Sequence, residues 1–544
     1  MTTRRDAIAA VLATGVAASF PRGAAAAAIE TAATTGSVET TSGTVRGMRA
    51  GGVSRFLGIP YGGDTATCRF QPARAPQPWT GVRDCFAFGF RAPQGNLSAG
   101  RDKSSTTPSP LAQQIASVMA PSEPVVPESE DCLVLNIFTP DASPARKRPV
   151  MVWLHGGGFF GGSSSVPSTD GGGLCHQGDV VVVTLNHRLN ALGYLYLGAL
   201  HADFADSGNV GQLDIVLALQ WVHDNIAMFG GDPGSVTIFG VSGGGGKVGT
   251  LLGMPPAKGL FHKAIQESGP VVTMCEKADA VEIAERTLAG LGVAEADVHQ
   301  LQTMDYKKVI AAATVVQIAR GAGSGVYAGL QPTVDGRSLP AHPFSPKATD
   351  VSRNVPLIIG TNKDEMTVML GMDPNFGKMT EDQASQRITA MLGKERGAAA
   401  FEFYKKLRPN EQPTYWVAST WTDRLMLANS IVQAERKAAQ HAAPVFMYRF
   451  DWGSPLGGGV LGAYHGSEVP FVFNNGQAGT SKELADTVSQ AWVNFARTGN
   501  PSQKTLAWPG YDAELRRTMI INTPSKVVSD PARETREFWT KTIA

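Results

Sequence analysis

A serine hydroxyl is a poor nucleophile at neutral pH until a base takes its proton, and that base, usually a histidine, needs an acid to hold its tautomer. Residues 236–250, Val-Thr-Ile-Phe-Gly-Val-Ser-Gly-Gly-Gly-Gly-Lys-Val-Gly-Thr, read as an apolar strand entering a glycine-crowded turn with Ser242 at its tip. Gly240, Ser242 and Gly244 satisfy G-x-S-x-G, the nucleophile elbow, whose glycines let backbone and substrate approach the serine. In a chain with 61 glycines that pattern also arises by chance, so its meaning depends on partners elsewhere. The stretch fails as a phosphate-cradling G-x-x-x-x-G-K-[ST] loop, because Val241 stands where the first glycine is needed and Val248 where Ser or Thr should be.

The partners are present in the order Ser, acid, His. Val355 to Ile359 is followed by Gly360-Thr361-Asn362-Lys363-Asp364-Glu365, and Val445 to Tyr448 by a glycine-rich loop ending in Gly462-Ala463-Tyr464-His465-Gly466. Among the ten histidines, His465 alone combines a Gly-flanked loop with the right place in this order. His223 and His262 sit in or beside regular segments, and His155 and His187 lie next to strand ends. Asp364 and Glu365 compete as the acid, and adjacent side chains point differently, so only one can face the histidine. Upstream, His155-Gly156-Gly157-Gly158-Phe159 follows a buried strand and fits a loop whose backbone N–H groups would hold an oxyanion.

These loops need a scaffold that brings strand ends to one edge. Residues 133–138, 149–154 and 179–185 are continuous apolar runs, as in strands buried on both faces, and residues 211–229 carry helical spacing ending at Gly230-Gly231-Asp232-Pro233. Strands at 236–239, 264–266, 355–359 and 445–448 continue the rhythm, with 519–521 as a last edge strand. The alternation predicts an α/β class with a mostly parallel sheet flanked by helices. Helical, more polar blocks at about 270–354 and 367–443 read as insertions over the carboxyl edge of the sheet, 62–128 as a loop-dominated surface region, and 29–37 as a flexible lead-in.

The balance of 48 basic and 47 acidic residues gives no electrostatic reason to expect a nucleic-acid partner, and no apolar run approaches the ~20 residues of a membrane span. Arg4-Arg5 before the apolar run Ala7 to Phe20, with small residues Ala24 to Ala28 beyond it, has the layout of a twin-arginine export signal over residues 1–28. That layout leaves 29–544 as a single domain and places the protein in the periplasm or outside. Cys68, Cys85, Cys132, Cys175 and Cys275 are odd in number and lack metal-site spacing, so buried thiols or one or two disulfides are expected and a structural metal is not.

Ser129-Glu130-Asp131-Cys132-Leu133, His155 to Phe159, Gly208 to Gly211, Gln220 to Val222, Phe229 to Pro233, Gly240 to Gly244 and Ala496 to Pro501 together resemble the type B carboxylesterase family from about Gly43 onward. The resemblance implies an α/β-hydrolase fold cleaving small-molecule carboxylic esters without a cofactor. Carried over by motif, it implies Ser242 as nucleophile, His465 as base, Glu365 as acid, the N–H groups of Gly157, Gly158 and Gly243 as the oxyanion hole, and Ser268 as a second serine that helps hold the acid. The chain departs from the family at Val241, where an acid or amide is common, at Gly243, where alanine is commoner, and at Met366, where glycine often follows the acid. Ala92 replaces the upstream half of the family's usual disulfide, leaving Cys132 unpaired or joined to Cys85. A catalytically dead binding protein is the competing class, but such relatives characteristically lose a triad member and none is lost here; amides, thioesters or carbonates would use the same machinery.

Overall fold

The computed structural model describes residues 33–95, 109–119, 126–320, 329–476 and 479–543; the expected export signal lies outside them. From Ala33 onward the described residues make one compact unit. Its strands are β1 (Ala33–Thr40), β2 (Gly43–Ala50), β3 (Val53–Pro60), β4 (Val82–Asp84), β5 (Val134–Thr139), β6 (Arg148–Leu154), β7 (Val181–Leu185), β8 (Gly231–Val241), β9 (Lys263–Glu267), β10 (Leu357–Asn362), β11 (Val445–Phe450), β12 (Arg517–Ile521) and β13 (Lys526–Ser529). They form one 13-stranded sheet in the order β1-β2-β3-β5-β7-β6-β8-β9-β10-β11-β12-β13, with β4 beside β2. From β7 to β12 every neighbouring pair is parallel, and the antiparallel pairs lie at the two margins.

The continuous apolar runs are buried on both faces because neighbouring side chains of a strand point to opposite sides. Val150, Val152 and Leu154 of β6 join one core with Val181, Val183, Val236, Ile238, Leu357 and Ile359. Met151 and Trp153 of the same strand join the opposite core with Val182, Phe239, Ile265, Ile358 and Tyr448. Two buried bidentate ion pairs pin loops to this frame. Arg69 grips Glu130 at 2.7 and 2.5 Å, and Arg188 grips Asp214 at 2.8 and 2.7 Å.

Two expectations change, and one helix is added. Residues 33–37 are not a lead-in but the start of β1, whose β-branched Thr34 and Val38 pair with Met48 and Val45 of β2. The outermost strand is β13 rather than 519–521; it is short, half-exposed and begins with a lysine, all of which blunt an edge. A C-terminal helix, Arg533–Ile543, closes over the insertion helices Glu381–Leu392, Lys394–Leu407 and Pro413–Thr422, and Trp539 is buried among them with its indole donating to the Tyr404 hydroxyl at 2.9 Å. All five cysteines are free, and four are buried, so the thiol alternative holds and no disulfide forms. Burial pushes the Cys85, Cys175 and Cys275 thiols up to about 12, which makes them inert packing groups.

Candidate active site

Because β6, β8, β10 and β11 run parallel, the loops that leave their carboxyl ends share one edge, where open α/β sheets place their ligands. Ser242 follows β8 directly and caps the helix Gly243–Leu251 with φ 58° and ψ −123°, a conformation costly to any residue with a Cβ. Main-chain bonds hold it there: its N–H donates to Glu267 O at 2.8 Å, and its carbonyl accepts from Gly246 N–H at 2.9 Å. The flanking glycines are demanded by contact. A Cβ on Gly240 or Gly244 would land on the Leu154 carbonyl oxygen, and one on Gly243 would land on the backbone of Gly158.

That last contact brings the second element in. Gly157 and Gly158 both take positive φ, 86° and 63°, and turn the backbone after β6 toward the start of the Ser242 helix. The turn is secured by Gly161 N–H to Gly157 O at 3.1 Å and by Gln94, whose side-chain oxygen accepts from Gly162 N–H at 2.8 Å. A Cβ on Gly156 would sit 3.6 Å from the Ser242 Cβ, so the loop lies against the serine.

The loops after β10 and β11 are laced together by Asp364 N–H to Ala463 O at 3.0 Å and His465 N–H to Glu365 O at 3.1 Å. Glu365, wholly buried, receives the Nδ1–H of His465 on Oε2 at 2.6 Å and the Asn362 N–H on Oε1 at 2.7 Å. Asp364 turns the other way and accepts from Ala463 N–H. Burial pushes the His465 pKa down, but the charge and hydrogen bond of Glu365, with the charge of Glu468, outweigh it and leave the imidazole above its ordinary value.

The remaining expectations separate. Ser268 is buried at φ 47° and its N–H donates to Gly360 O, yet its hydroxyl finds no partner among the described residues; Asn362 holds the second oxygen of Glu365 instead. Met366, where the family often has glycine, takes an ordinary helical backbone and donates its N–H to the Thr422 hydroxyl. His155 and His187 are stacked 5.0 Å apart in the core, each donating Nδ1–H to a neighbouring carbonyl. Burial, then the charge of Lys247, lowers both well below the usual histidine range.

Residues 34–539 match the model of the carboxylesterase family. The chain belongs to that family. It is a carboxylic ester hydrolase with the α/β-hydrolase fold. The esterase is 36% identical over 511 residues to para-nitrobenzyl esterase of Bacillus subtilis (strain 168), covering 92% of this chain and 97% of that one. It is 31% identical over 509 residues to phenmedipham hydrolase of Pseudarthrobacter oxydans, covering 91% and 97%. Solved structures of a PNB esterase and of a Geobacillus stearothermophilus carboxylesterase each superpose with a TM-score of 0.77 at 35% identity, over 92% of the esterase and 99% of their own chains.

Two buried carboxyls behind the site were not singled out from the sequence. Burial and the charge of Glu365 push Glu468 up to about 7, and burial and the charge of Glu468 raise Glu267, which accepts from the Trp492 indole at 2.7 Å. Glu468 lies only three residues after His465, a spacing that was readable as a second carboxyl near the base.

Lys247 is the other omission. It is fully buried, and its ammonium donates to the carbonyl of His155, the residue that opens the glycine loop, at 2.8 Å. Burial lowers its pKa from 10.5 to about 7. Between those values the unfolded chain binds more protons than the folded one, so a penalty present in full below pH 7 is relieved as pH rises toward 10.5. At about 1.4 kcal/mol per unit, the stability difference between the esterase and a Lys247→Met variant should move in favour of the native chain by about 2 kcal/mol from pH 7 to pH 9. Chemical denaturation of both proteins at the two pH values measures it, and a constant difference would contradict the buried, depressed lysine.

Proposed function

We propose that the esterase works by acyl transfer through Ser242, His465 and Glu365. The observation that carries this reading is the 2.6 Å bond between Glu365 and His465 Nδ1, at the same sheet edge as the strained elbow serine. With Nδ1–H committed to Glu365, Nε2 is the lone pair left to take the proton of Ser242 Oγ as that oxygen attacks the ester carbonyl. The N–H groups of Gly157, Gly158 and Gly243 receive the oxyanion. Its collapse breaks the C–O bond to the alcohol, which leaves with the proton from His465. Water, deprotonated by His465, then attacks the acyl-Ser242 carbonyl; the proton returns to Oγ and the carboxylic acid departs. The relative that carries the name para-nitrobenzyl esterase favours small esters of ring-bearing alcohols as first substrates. A p-nitrophenyl ester should give a pre-steady-state burst of one p-nitrophenol per chain, with the acyl mass on the peptide bearing Ser242. An acyl mass on any other residue would overturn the assignment.

We also propose that residues 1–28 direct twin-arginine export to the periplasm or beyond, on the strength of Arg4-Arg5 preceding an apolar run. Replacing both arginines with lysine should hold the expressed esterase in the cytoplasm, and undiminished export of that variant would count against the signal.

A further inference from the structure

The turn Ala202–Phe204 and the one-sided helical stretch Glu295–Gln302 meet at the surface through residues 96 apart in the chain. Asp203 lies between two histidines there: its Oδ2 is 3.6 Å from His201 Nδ1 and 3.2 Å from His299 Nε2. One ligand atom from each of the three side chains falls within 4.8 Å of the others. The two imidazoles meet edge to face with centroids 4.3 Å apart, and the Phe204 ring packs on both, at 6.2 and 5.0 Å. Ring packing therefore fixes how the nitrogens are presented.

A hydrogen-bonded His–Asp pair needs one histidine, and His299 with Asp203 already makes one. A second imidazole brought to the same carboxylate oxygen is what a metal site adds. Two atoms each about 2.0–2.1 Å from a zinc ion at the tetrahedral angle lie about 3.3 Å apart, and the two separations to Asp203 Oδ2 bracket that value. Two imidazoles and one carboxylate suit zinc, cobalt, nickel or copper rather than calcium or magnesium, which take oxygen ligands. Three protein ligands leave a fourth position for water.

We propose that His201, Asp203 and His299 form a surface site for a divalent transition-metal ion of the zinc type, clamping the 295–302 segment to the 202–204 turn. Coordination exchanges two existing bonds for metal bonds. His299 Nε2 gives up its hydrogen bond to Asp203, and His201 Nδ1 gives up the Asp203 N–H that it accepts at 3.2 Å. The cluster was invisible to sequence spacing, because its third ligand comes from the first helical insertion.

The test uses the full chain stripped with a chelator and titrated with zinc chloride in a calorimeter at about pH 7.5, where free imidazole is mostly neutral. One zinc ion per chain should bind in the micromolar range and raise the melting temperature. His201→Ala and His299→Ala should each weaken that binding by about tenfold or more and remove the thermal shift, as loss of a metal ligand or its support does. Both variants should keep the native rate on a p-nitrophenyl ester, which shows that they are folded. Cobalt(II) should give visible d–d absorption with the native chain and not with the variants. Absence of saturable zinc binding, or binding and stabilisation that survive in both variants, would overturn the proposal.

Discussion

Ser242→Ala should lower kcat on a p-nitrophenyl ester by about 10⁶ while leaving the fold intact, because in the proposed mechanism the change removes the nucleophile and with it the acyl-enzyme route. Residual catalysis of about 10³–10⁴ over water is expected from the oxyanion donors and binding. The bonds that build the elbow, Ser242 N–H to Glu267 O and Gly246 N–H to Ser242 O, are main-chain bonds and survive the change. Alanine also carries a Cβ, so it inherits the cost of φ 58°, ψ −123°. Ser242→Gly sheds it. The glycine variant should be equally inactive yet more stable than the alanine variant by about 1–3 kcal/mol, the range of a strained non-glycine residue. Rate measurements with mass spectrometry of the acylated peptide check the first half, and thermal melts of the two variants check the second. Turnover within about tenfold of native in Ser242→Ala would mean that another nucleophile does the chemistry.

Much of this geometry is legible in the sequence. The central strands announce themselves because burial on both faces requires unbroken apolar runs, as in residues 149–154 and 180–185, and the turns because only glycine tolerates Gly157, Gly158 and the approach at Gly244. Threonine-rich β1 and half-exposed β13 carry neither signal; a partner strand rather than a core makes them strands. The helix Arg533–Ile543 was missed because its burial rests on Trp539 meeting Tyr404, a contact 135 residues away in sequence. The choice between Asp364 and Glu365 came from the family resemblance, since which neighbour faces a histidine depends on how the two loops lace together. Lys247 reads as a polar residue in a glycine run and becomes a buried cation only once the helix sits under the His155 carbonyl. Ser268, expected to help hold the acid, is buried with no hydroxyl partner among the described residues, and the second oxygen of Glu365 accepts from the Asn362 N–H.

Glu365→Gln carries the second-largest expected loss, about 10⁴ in kcat, the scale seen when a triad acid becomes an amide. Both oxygens of Glu365 accept, one from His465 Nδ1–H and the other from Asn362 N–H. A glutamine has one acceptor for the two donors. If its oxygen keeps the Asn362 N–H, its NH₂ faces Nδ1 and forces the histidine proton onto Nε2, the atom that must be free to act as base. If it flips, a buried backbone N–H is left facing an NH₂ group, at about 1–3 kcal/mol.

The charge matters separately from the hydrogen bond. Burial lowers His465, and Glu365 is the first group that raises it, so the base-limb pKa of kcat/KM, above 6.5 in the native chain, should fall in Glu365→Gln. The shift is buffered by Glu468. Its carboxyl is raised by burial and by the charge of Glu365, so losing that charge lets Glu468 ionise more readily and restore part of the field at His465. The variant should therefore show a large loss of rate at every pH with a smaller displacement of the pH profile, and Glu365→Gln combined with Glu468→Gln should displace the profile further. Rate–pH profiles of the native chain and both variants from pH 5 to 9 measure this. An unchanged limb in the double variant, or a Glu365→Gln rate within about tenfold of native, would remove Glu365 from its assigned role.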